Sequence, residues 1–186
     1  PLDDNKIEVL NLSRGGRSSK SFRDEGFWQQ VLDDKPDYVL IQFGHNDQPG
    51  KGPERETDPN TTFRANLARY VDEARAIGAK PILVTSLSRR RWADDGVHIA
   101  SNLTPYVDAA IAVAKEKSTP LIDLHARSIE VYESLGKADQ ARRRGRSTKA
   151  GIGTMAPGDT RAGRRAGAGR KGNGADRQLR IFNANR

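Results

Sequence analysis

The stretch from Tyr38 to Asp47 places the strongest limit on how this chain folds. An apolar run stops at Gly44, and the polar residues 45–48 follow at once. A short, continuous apolar run is typical of a parallel strand that is buried on both faces. In an open α/β sheet the carboxyl ends of such strands line a crevice where ligands bind. This stretch therefore predicts a buried strand that delivers polar side chains into a crevice.

Strands and helices alternate along the first part of the chain. Short apolar runs predict strands, and apolar residues at helical spacing predict helices between them. The predicted strands cover residues 6–12, 38–43, 81–86 and 120–124, and the predicted helices cover residues 24–32, 61–77, 104–115 and 127–135. This alternation with short links favours an α/β fold of three layers, helices on both faces of a parallel sheet.

The composition divides the chain near residue 138. Residues 139–186 contain 13 Lys and Arg against 3 Asp and Glu, which leaves a net charge of −2 for residues 1–138 out of the total of +8. The C-terminal segment is rich in Arg and Gly and shows no apolar period, so it offers little surface to bury. We expect one domain at 1–138 and a basic, disordered tail at 139–186.

Several site classes are absent from the sequence. There is no cysteine, which excludes disulfides, thiolate zinc sites and cysteine nucleophiles. The three histidines show no spacing typical of metal ligands, so we expect no metal and no cofactor. No run is long and apolar enough to span a membrane. The chain begins at Pro1 and its single methionine is Met155, so we interpret it as a processed product or a fragment.

Two loops at predicted strand ends carry the polar groups that suit acyl chemistry. One contains Gly15 and Gly16, where a backbone turn lets a ligand approach the N–H groups. The other contains Asn46, whose carboxamide is a further hydrogen-bond donor. Donors of this kind stabilise a developing oxyanion. Acyl transfer also needs a nucleophile, a base and an orienting carboxylate.

These residues resemble a known family. The chain is similar to the SGNH (GDSL-type) hydrolases, and within them to the rhamnogalacturonan acetylesterases, over about residues 6–137. The similarity rests on Asn11-Leu-Ser-Arg-Gly-Gly-Arg-Ser-Ser-Lys-Ser-Phe22, Glu25-Gly26-x-Trp28, the stretch from Tyr38 to Asp47, residues 59–67, residues 74–85 and Arg89-Arg90. The resemblance implies a flavodoxin-like SGNH fold.

The family has four motif blocks, and this sequence contains two of them. The resemblance implies that Gly16 supplies a backbone N–H to the oxyanion hole and that Asn46 of the Gly-x-Asn-Asp block supplies a second donor. No Gly-Asp-Ser nucleophile block occurs, and no Asp-x-x-His block follows Ala138. We therefore expect a sheet that lacks its first strand, a chain truncated before its first helix, and a tail that is either a natural replacement or a frame-shifted translation.

The resemblance implies deacetylation of a pectic or related polysaccharide through a serine acyl-enzyme. We expect negligible esterase activity from this chain, because the nucleophile and the base are absent. A full-length parent is expected to be secreted or periplasmic. The alternative is a non-catalytic fragment whose basic tail binds nucleic acid through the phosphate backbone. Loss of the first strand is also expected to expose the sheet and lower solubility.

The remaining polar residues of the predicted loops leave alternatives open. His45 is interpreted as structural or substrate-side. Asp47 is interpreted as a residue that hydrogen-bonds loop backbone in an Asx turn, with a direct role as the alternative. His98 is interpreted as a solvated loop residue, with a sugar contact as the alternative. His125 is interpreted as non-catalytic.

Three arginines also lie on predicted crevice loops. Arg55, Arg89 and Arg90 are candidates for binding the carboxylates of a pectic backbone, and a solvated surface position is the alternative for each. No substrate-binding residue is assigned from the sequence.

Overall fold

The computed structural model describes residues 7–136 and 177–183. Five strands and five helices lie in these ranges. The strands are β1 (Ile7–Asn11), β2 (Tyr38–Gln42), β3 (Lys80–Val84), β4 (Leu121–Ile122) and β5 (Arg177–Asn183). The helices are α1 (Ser21–Asp24), α2 (Phe27–Asp33), α3 (Thr62–Ala76), α4 (Thr104–Glu116) and α5 (124–136).

All five strands form one parallel sheet in the order β1-β5-β2-β3-β4. Each crossover from β2 to β3 and from β3 to β4 passes through a helix, as parallel neighbours require. The predicted α/β class and the parallel sheet are confirmed. The carboxyl ends of β1 and β2 lie at the same edge of this sheet, on either side of β5.

Strand β5 comes from the segment that the sequence predicts to be without structure. It pairs with both neighbours, so that Ile181 lies opposite Asn11 of β1 and Leu40 of β2. The backbone N–H and C=O groups of the two facing strands need partners, and the backbone of β5 supplies them. The expectation of disorder from Asp139 onward therefore does not hold for residues 177–183. Residues 139–176 and 184–186 lie outside the described residues.

The predicted helix at residues 24–32 is two short helices. Gly26 separates them with a φ of +80°, a left-handed conformation that interrupts a right-handed helix and that glycine adopts at little cost. The sequence signal for the break was this glycine between two apolar groups. The break turns α1 so that Phe22 is fully buried.

Helix α3 is the longest described helix, and its sequence predicts it well. Its apolar residues recur every three or four positions and are buried against the sheet. The predicted C-terminal cap is confirmed, because the N–H of Gly78 donates to the Arg75 carbonyl at 2.9 Å and the N–H of Ala79 donates to the Ala74 carbonyl at 3.0 Å. No helix among residues 7–136 is long and apolar enough to cross a bilayer.

Helices α1 to α4 pack on one face of the sheet in a single apolar core. Residues from every one of these helices join residues of β2 and β3 in it. Its central members are Phe22, Trp28, Val31, Val39, Ile41, Phe63, Leu67, Tyr70, Leu83, Ala110 and Val113. Burying each large side chain of this kind contributes about 1.5–3 kcal/mol. The opposite face is less covered, since Leu40, Ile82 and Val84 are half-buried.

An aromatic row connects this core to the strand ends. The Phe43 ring stacks on Tyr70 at a centroid distance of 5.0 Å and lies 6.0 Å from Phe22. Trp28 meets Tyr70 edge-on at 4.6 Å. These contacts fix the end of β2 against α1 and α3. The loop that begins at Gly44 therefore starts from a rigid base.

Candidate functional site

The carboxamide of Asn46 joins the two loops predicted to form the site. Its Nδ2 donates to the Arg17 carbonyl at 3.2 Å, and the side chain is half-buried. The acceptor follows directly on Gly16, which has a φ of +77° in a turn. The structure therefore brings the two predicted oxyanion-hole residues onto adjoining loops at the carboxyl edge of the sheet.

The carboxylate of Asp47 holds these loops together from beneath. It is fully buried and accepts from the N–H of Ser19 at 3.0 Å and 3.2 Å and from the Ser19 hydroxyl at 2.5 Å. It also accepts from the N–H of Gly44 at 3.0 Å and from the Thr57 hydroxyl at 3.0 Å. Asp47 bonds to its own loop through Gly44, as the sequence interpretation expects, and the bonds to Ser19 and Thr57 add two distant segments.

Burial also sets the charge of this carboxylate. Desolvation raises the pKa of Asp47 from 3.8 to about 6, against the hydrogen bonds from Ser19, Thr57 and Gly44, which lower it. Asp47 is therefore ionised at neutral pH. The ionised form can accept from all of its donors at once, since a carboxylate has about four lone-pair sites.

Ser19 is fully engaged in structural hydrogen bonds. Besides its bonds to Asp47, its hydroxyl accepts from Asn66 Nδ2 at 3.1 Å and its carbonyl accepts from the Tyr70 hydroxyl at 2.9 Å. The neighbouring hydroxyls of Ser18 and Ser21 lie 3.3 Å apart, and each accepts from the backbone N–H of the other residue. These serines are buried and hold the loop in shape.

The Tyr106 hydroxyl supports the second loop from α4. It lies 2.9 Å from the Asp47 carbonyl and 2.7 Å from the Thr57 carbonyl. Desolvation, together with the charges of Asp47, Asp58 and Glu56, raises the pKa of Tyr106 to about 12. The hydroxyl therefore stays protonated and remains a donor to the loop.

Gly44 is required by the close approach of Ser86, in the segment that follows β3. Its φ is +132°, and a Cβ added here would lie 2.3 Å from Ser86 Oγ. That hydroxyl donates to the Phe43 carbonyl at 2.6 Å and has little freedom to move. The glycine of the Gly-x-Asn-Asp block is thus fixed by packing as well as by its backbone conformation.

The three histidines occupy different environments. The His45 carbonyl accepts from Arg89 Nη2 at 3.3 Å. His98 is exposed, and its Nδ1 lies 2.6 Å from Asp95 Oδ2, which raises the pKa of His98 and contributes to lowering the pKa of Asp95 to about 2. His125 is buried, and its Nδ1–H donates to the Ser86 carbonyl at 2.9 Å.

The three candidate arginines have other partners in the structure. Arg89 donates to Gln48 and, at 2.9 Å, to Asn102 Oδ1, so it braces the loop after β2. Arg90 lies over the Tyr132 ring at 5.5 Å. Arg55 pairs with Glu54 at 3.1 Å. These contacts are structural, and the prediction that these arginines bind a pectic carboxylate gains no support from them.

Sequence analysis did not identify the supporting residues Asn66, Thr57, Tyr70 and Tyr106. Their only sequence signal is a polar atom on an otherwise core-facing position, and its partner lies far along the chain.

Within residues 7–136, His, Asp and Glu side chains form no group of three that could hold a metal ion.

Two well-formed clefts lie away from these loops. One of about 310 Å³ opens at the amino ends of β2 and β3, the opposite edge of the sheet. Another of about 390 Å³ lies between α3 and α4. The site is therefore identified by its convergent donors and not by cavity size.

The predicted nucleic-acid contact falls on the basic tail, outside the described side chains, and stays a prediction.

Comparison with known proteins gives a consistent set of similarities. The GDSL-like lipase/acylhydrolase family model matches residues 3–154. The chain is 43% identical over 138 residues to the rhamnogalacturonan acetylesterase RhgT of Bacillus subtilis, covering 73% of this chain and 57% of that relative. It is 38% identical over 133 residues to the probable rhamnogalacturonan acetylesterase YesY of Bacillus subtilis, covering 70% and 60%. The chain thus spans less than two thirds of the length of both.

Solved structures share the fold. The crystal structure of protein YXIM from Bacillus subtilis matches with a TM-score of 0.63 at 26% identity, over 83% of this chain and 49% of that one. The structure of Axe2, an acetylxylan esterase from Geobacillus stearothermophilus, matches with a TM-score of 0.51 at 20% identity, over 75% and 69%. At 20% identity the match to Axe2 shows a similar fold and nothing more.

Proposed function

This chain belongs to the GDSL-like lipase/acylhydrolase family, and we propose that it carries the oxyanion-binding half of a carbohydrate acetylesterase site. Membership confirms the family expected from the two motif blocks. In this proposal the N–H of Gly16 and the Nδ2 of Asn46 stabilise the negative charge that develops on an acetyl carbonyl oxygen.

One observation carries the proposal. The Asn46 carboxamide is held 3.2 Å from the Arg17 carbonyl, directly beside the Gly16 turn. Preorganised donors of this kind stabilise an oxyanion without reorganising during the reaction, and the loss of one donor costs about 10²–10³ in rate. The Asp47 carboxylate supports the proposal, because its bonds to Ser19 and Gly44 fix the spacing of the two loops.

The substrate class comes from the relatives. Two of them are named as rhamnogalacturonan acetylesterases, and the crevice loops of this chain carry the matching motif blocks. We propose an acetylated pectic oligosaccharide or polysaccharide as the ligand. The acetyl group would enter between the Gly16 turn and Asn46.

We further propose that this polypeptide by itself turns over acetyl esters negligibly. Acyl transfer needs a nucleophile that is hydrogen-bonded to a base. Ser19 is buried, and among the described residues its hydroxyl bonds to Asp47 and Asn66 and not to a histidine. No Gly-Asp-Ser occurs in the sequence, and no Asp-x-x-His follows Ala138.

Binding of a non-covalent oxyanion mimic tests the proposal without requiring turnover. A methylphosphonate monoester of a neutral sugar carries a charged tetrahedral group in place of the acetyl carbon, and transition-state mimics bind more tightly than substrates. We expect it to bind the intact chain more tightly than the matching acetyl ester. We expect Asn46→Ala to remove that preference.

A chain that binds the phosphonate and the acetyl ester equally well would contradict the oxyanion assignment. Equal phosphonate affinity of the Asn46→Ala variant would do the same. Release of acetate from an acetylated oligosaccharide at a rate that survives Asn46→Ala would contradict the proposed lack of turnover.

A further inference from the structure

Two arginines meet one aromatic ring beside the Gly16 turn. The guanidinium carbon of Arg14 lies 5.3 Å from the centroid of the Phe27 ring, and that of Arg17 lies 5.5 Å from it. Both distances are within the range of cation–π attraction. Phe27 is itself packed on the buried Phe22 at 5.4 Å. The ring therefore offers both guanidinium groups a fixed surface.

The two arginines differ in what else they contact. Arg17 donates to Glu25 Oε2 through Nη2 at 2.7 Å and Nε at 2.9 Å, and to the Gly15 carbonyl at 3.0 Å. Arg14 is exposed, and its one hydrogen bond to a described residue is a long one of 3.4 Å to the neighbouring Ser13 carbonyl. No carboxylate within residues 7–136 pairs with Arg14. Its charge is thus oriented by Phe27 and open to a ligand.

Arg14 also lies close to the proposed oxyanion donors. It follows the end of β1 by three residues, at the same edge of the sheet as Asn46. Its Cα is at most about 7.6 Å from that of Gly16, because two peptide units separate them. A sugar whose acetyl group sits at Gly16 would place a neighbouring substituent within reach of this guanidinium.

We propose that Arg14 is a specificity-determining residue that binds the carboxylate of a uronic acid next to the acetylated sugar. This inference rests on the proposed function. A guanidinium matches the two oxygens of a carboxylate with two parallel N–H donors. Such charge-assisted hydrogen bonds are stronger than hydrogen bonds between neutral groups. The contact with the Phe27 ring restricts the Arg14 side chain, so less side-chain freedom is lost on binding.

The charges around Arg14 favour this assignment over the earlier candidates. The Glu25 carboxylate already pairs with Arg17, at 2.7 Å. The guanidinium groups of Arg55, Arg89 and Arg90 are directed at Glu54, at loop side chains and at Tyr132. Within the described residues, Arg14 is the arginine beside the Gly16 turn whose guanidinium pairs with no carboxylate.

Calorimetric binding of two ligands to the full chain tests the inference. The ligands are an acetylated oligogalacturonate and the same oligosaccharide with its carboxylates converted to methyl esters. We expect the acid to bind about tenfold more tightly than the ester. Arg14→Gln should remove this preference, and Arg14→Lys should retain only part of it, because a lysine is a point charge without the fork.

Arg69→Gln is the matched control. Arg69 is an exposed arginine on α3 whose ion pair with Glu73 is long, at 3.6 Å, and its removal lowers the net charge by the same amount. An equal loss in Arg69→Gln and Arg14→Gln, or equal affinity of the intact chain for acid and ester, would overturn the assignment. Unchanged thermal unfolding of Arg14→Gln shows that any loss is not a folding defect.

The experiment also separates this inference from the proposed function. Asn46→Ala is measured with the methylphosphonate monoester of a neutral sugar, whose sugar carries no carboxylate for Arg14 to bind. If Asn46→Ala has no effect there, the oxyanion assignment fails. If that effect is present while acid and ester bind alike, only the role of Arg14 fails.

Discussion

The buried carboxylate of Asp47 accepts hydrogen bonds from both the backbone N–H and the hydroxyl of Ser19, a residue 28 positions earlier in the chain. These two bonds join the Gly16 loop to the Asn46 loop. The alignment of the proposed oxyanion donors therefore depends on a residue that need not touch the substrate.

Replacing Asp47 with alanine should destabilise the fold. The N–H groups of Ser19 and Gly44 would lose their acceptor in a buried environment, which costs about 1–3 kcal/mol for each unsatisfied group. We expect a loss of about 2–4 kcal/mol in the free energy of unfolding, measured by urea titration. Asp94→Ala, at an exposed position, is the control and should change it by less than about 0.5 kcal/mol. Similar stability of the two variants would contradict this role of Asp47.

The stability conferred by Asp47 should depend on pH. Its pKa is raised from 3.8 to about 6 in the folded state, so between these values the folded chain binds more protons than the unfolded chain. Stability must then fall as pH rises through this window, and the contribution of Asp47 should decrease by about 3 kcal/mol. The difference in unfolding free energy between the parent chain and Asp47→Asn, measured from pH 3.5 to pH 7, isolates this term. A difference that stays constant or grows with pH would contradict it.

Asn46→Ala should separate function from stability. The side chain is half-buried and makes a 3.2 Å hydrogen bond to the Arg17 carbonyl, so its removal should cost no more than about 1 kcal/mol of stability. Binding of the phosphonate ester should fall about tenfold or more, because the carboxamide is a direct donor to the charged oxygen. Thermal unfolding and calorimetry on the same sample measure both quantities. A large loss of stability with unchanged binding would reverse the assignment.

Gly44→Ala should be costly because its Cβ would lie 2.3 Å from Ser86 Oγ. The clash and the positive φ together predict a loss of about 2–4 kcal/mol. Gly96→Ala is the control, since its φ is also positive, at +68°, and the added Cβ would meet open space. Combining Gly44→Ala with Ser86→Ala should restore part of the loss, and a double variant no more stable than Gly44→Ala would argue against the clash as its cause.

Strand β5 should contribute to the stability of the sheet. Ile181 lies opposite Asn11 and Leu40 in a central strand, and proline there removes a ladder donor. We expect Ile181→Pro to lower the free energy of unfolding by about 3 kcal/mol or more. Gln178→Ala in the same strand keeps the backbone donor and serves as the control. Equal stability of Ile181→Pro and the control would show that β5 is not part of the folded sheet in solution.

The sequence by itself determined the local elements. The apolar run before Gly44 predicted β2, the helical spacing from Phe63 to Ile77 predicted α3, and turn signals placed Gly16 and Asn46 on loops after strands. The oxyanion role of these two residues is a prediction that comes from the family resemblance. These signals are local, because strand burial, helix periodicity and turn chemistry each depend on residues only a few positions apart. They required no knowledge of the packing.

The tertiary structure alone decided what holds those donors in place. Asp47 meets Ser19 and Thr57, and Tyr106 reaches beneath the same loop, only because the parallel sheet brings the ends of β1 and β2 to one edge. The position of β5 between β1 and β2 could not be predicted from local patterns either, since strand pairing joins residues far apart in sequence. Long-range hydrogen bonds of this kind satisfy buried polar groups after the core has packed, and no local pattern records them.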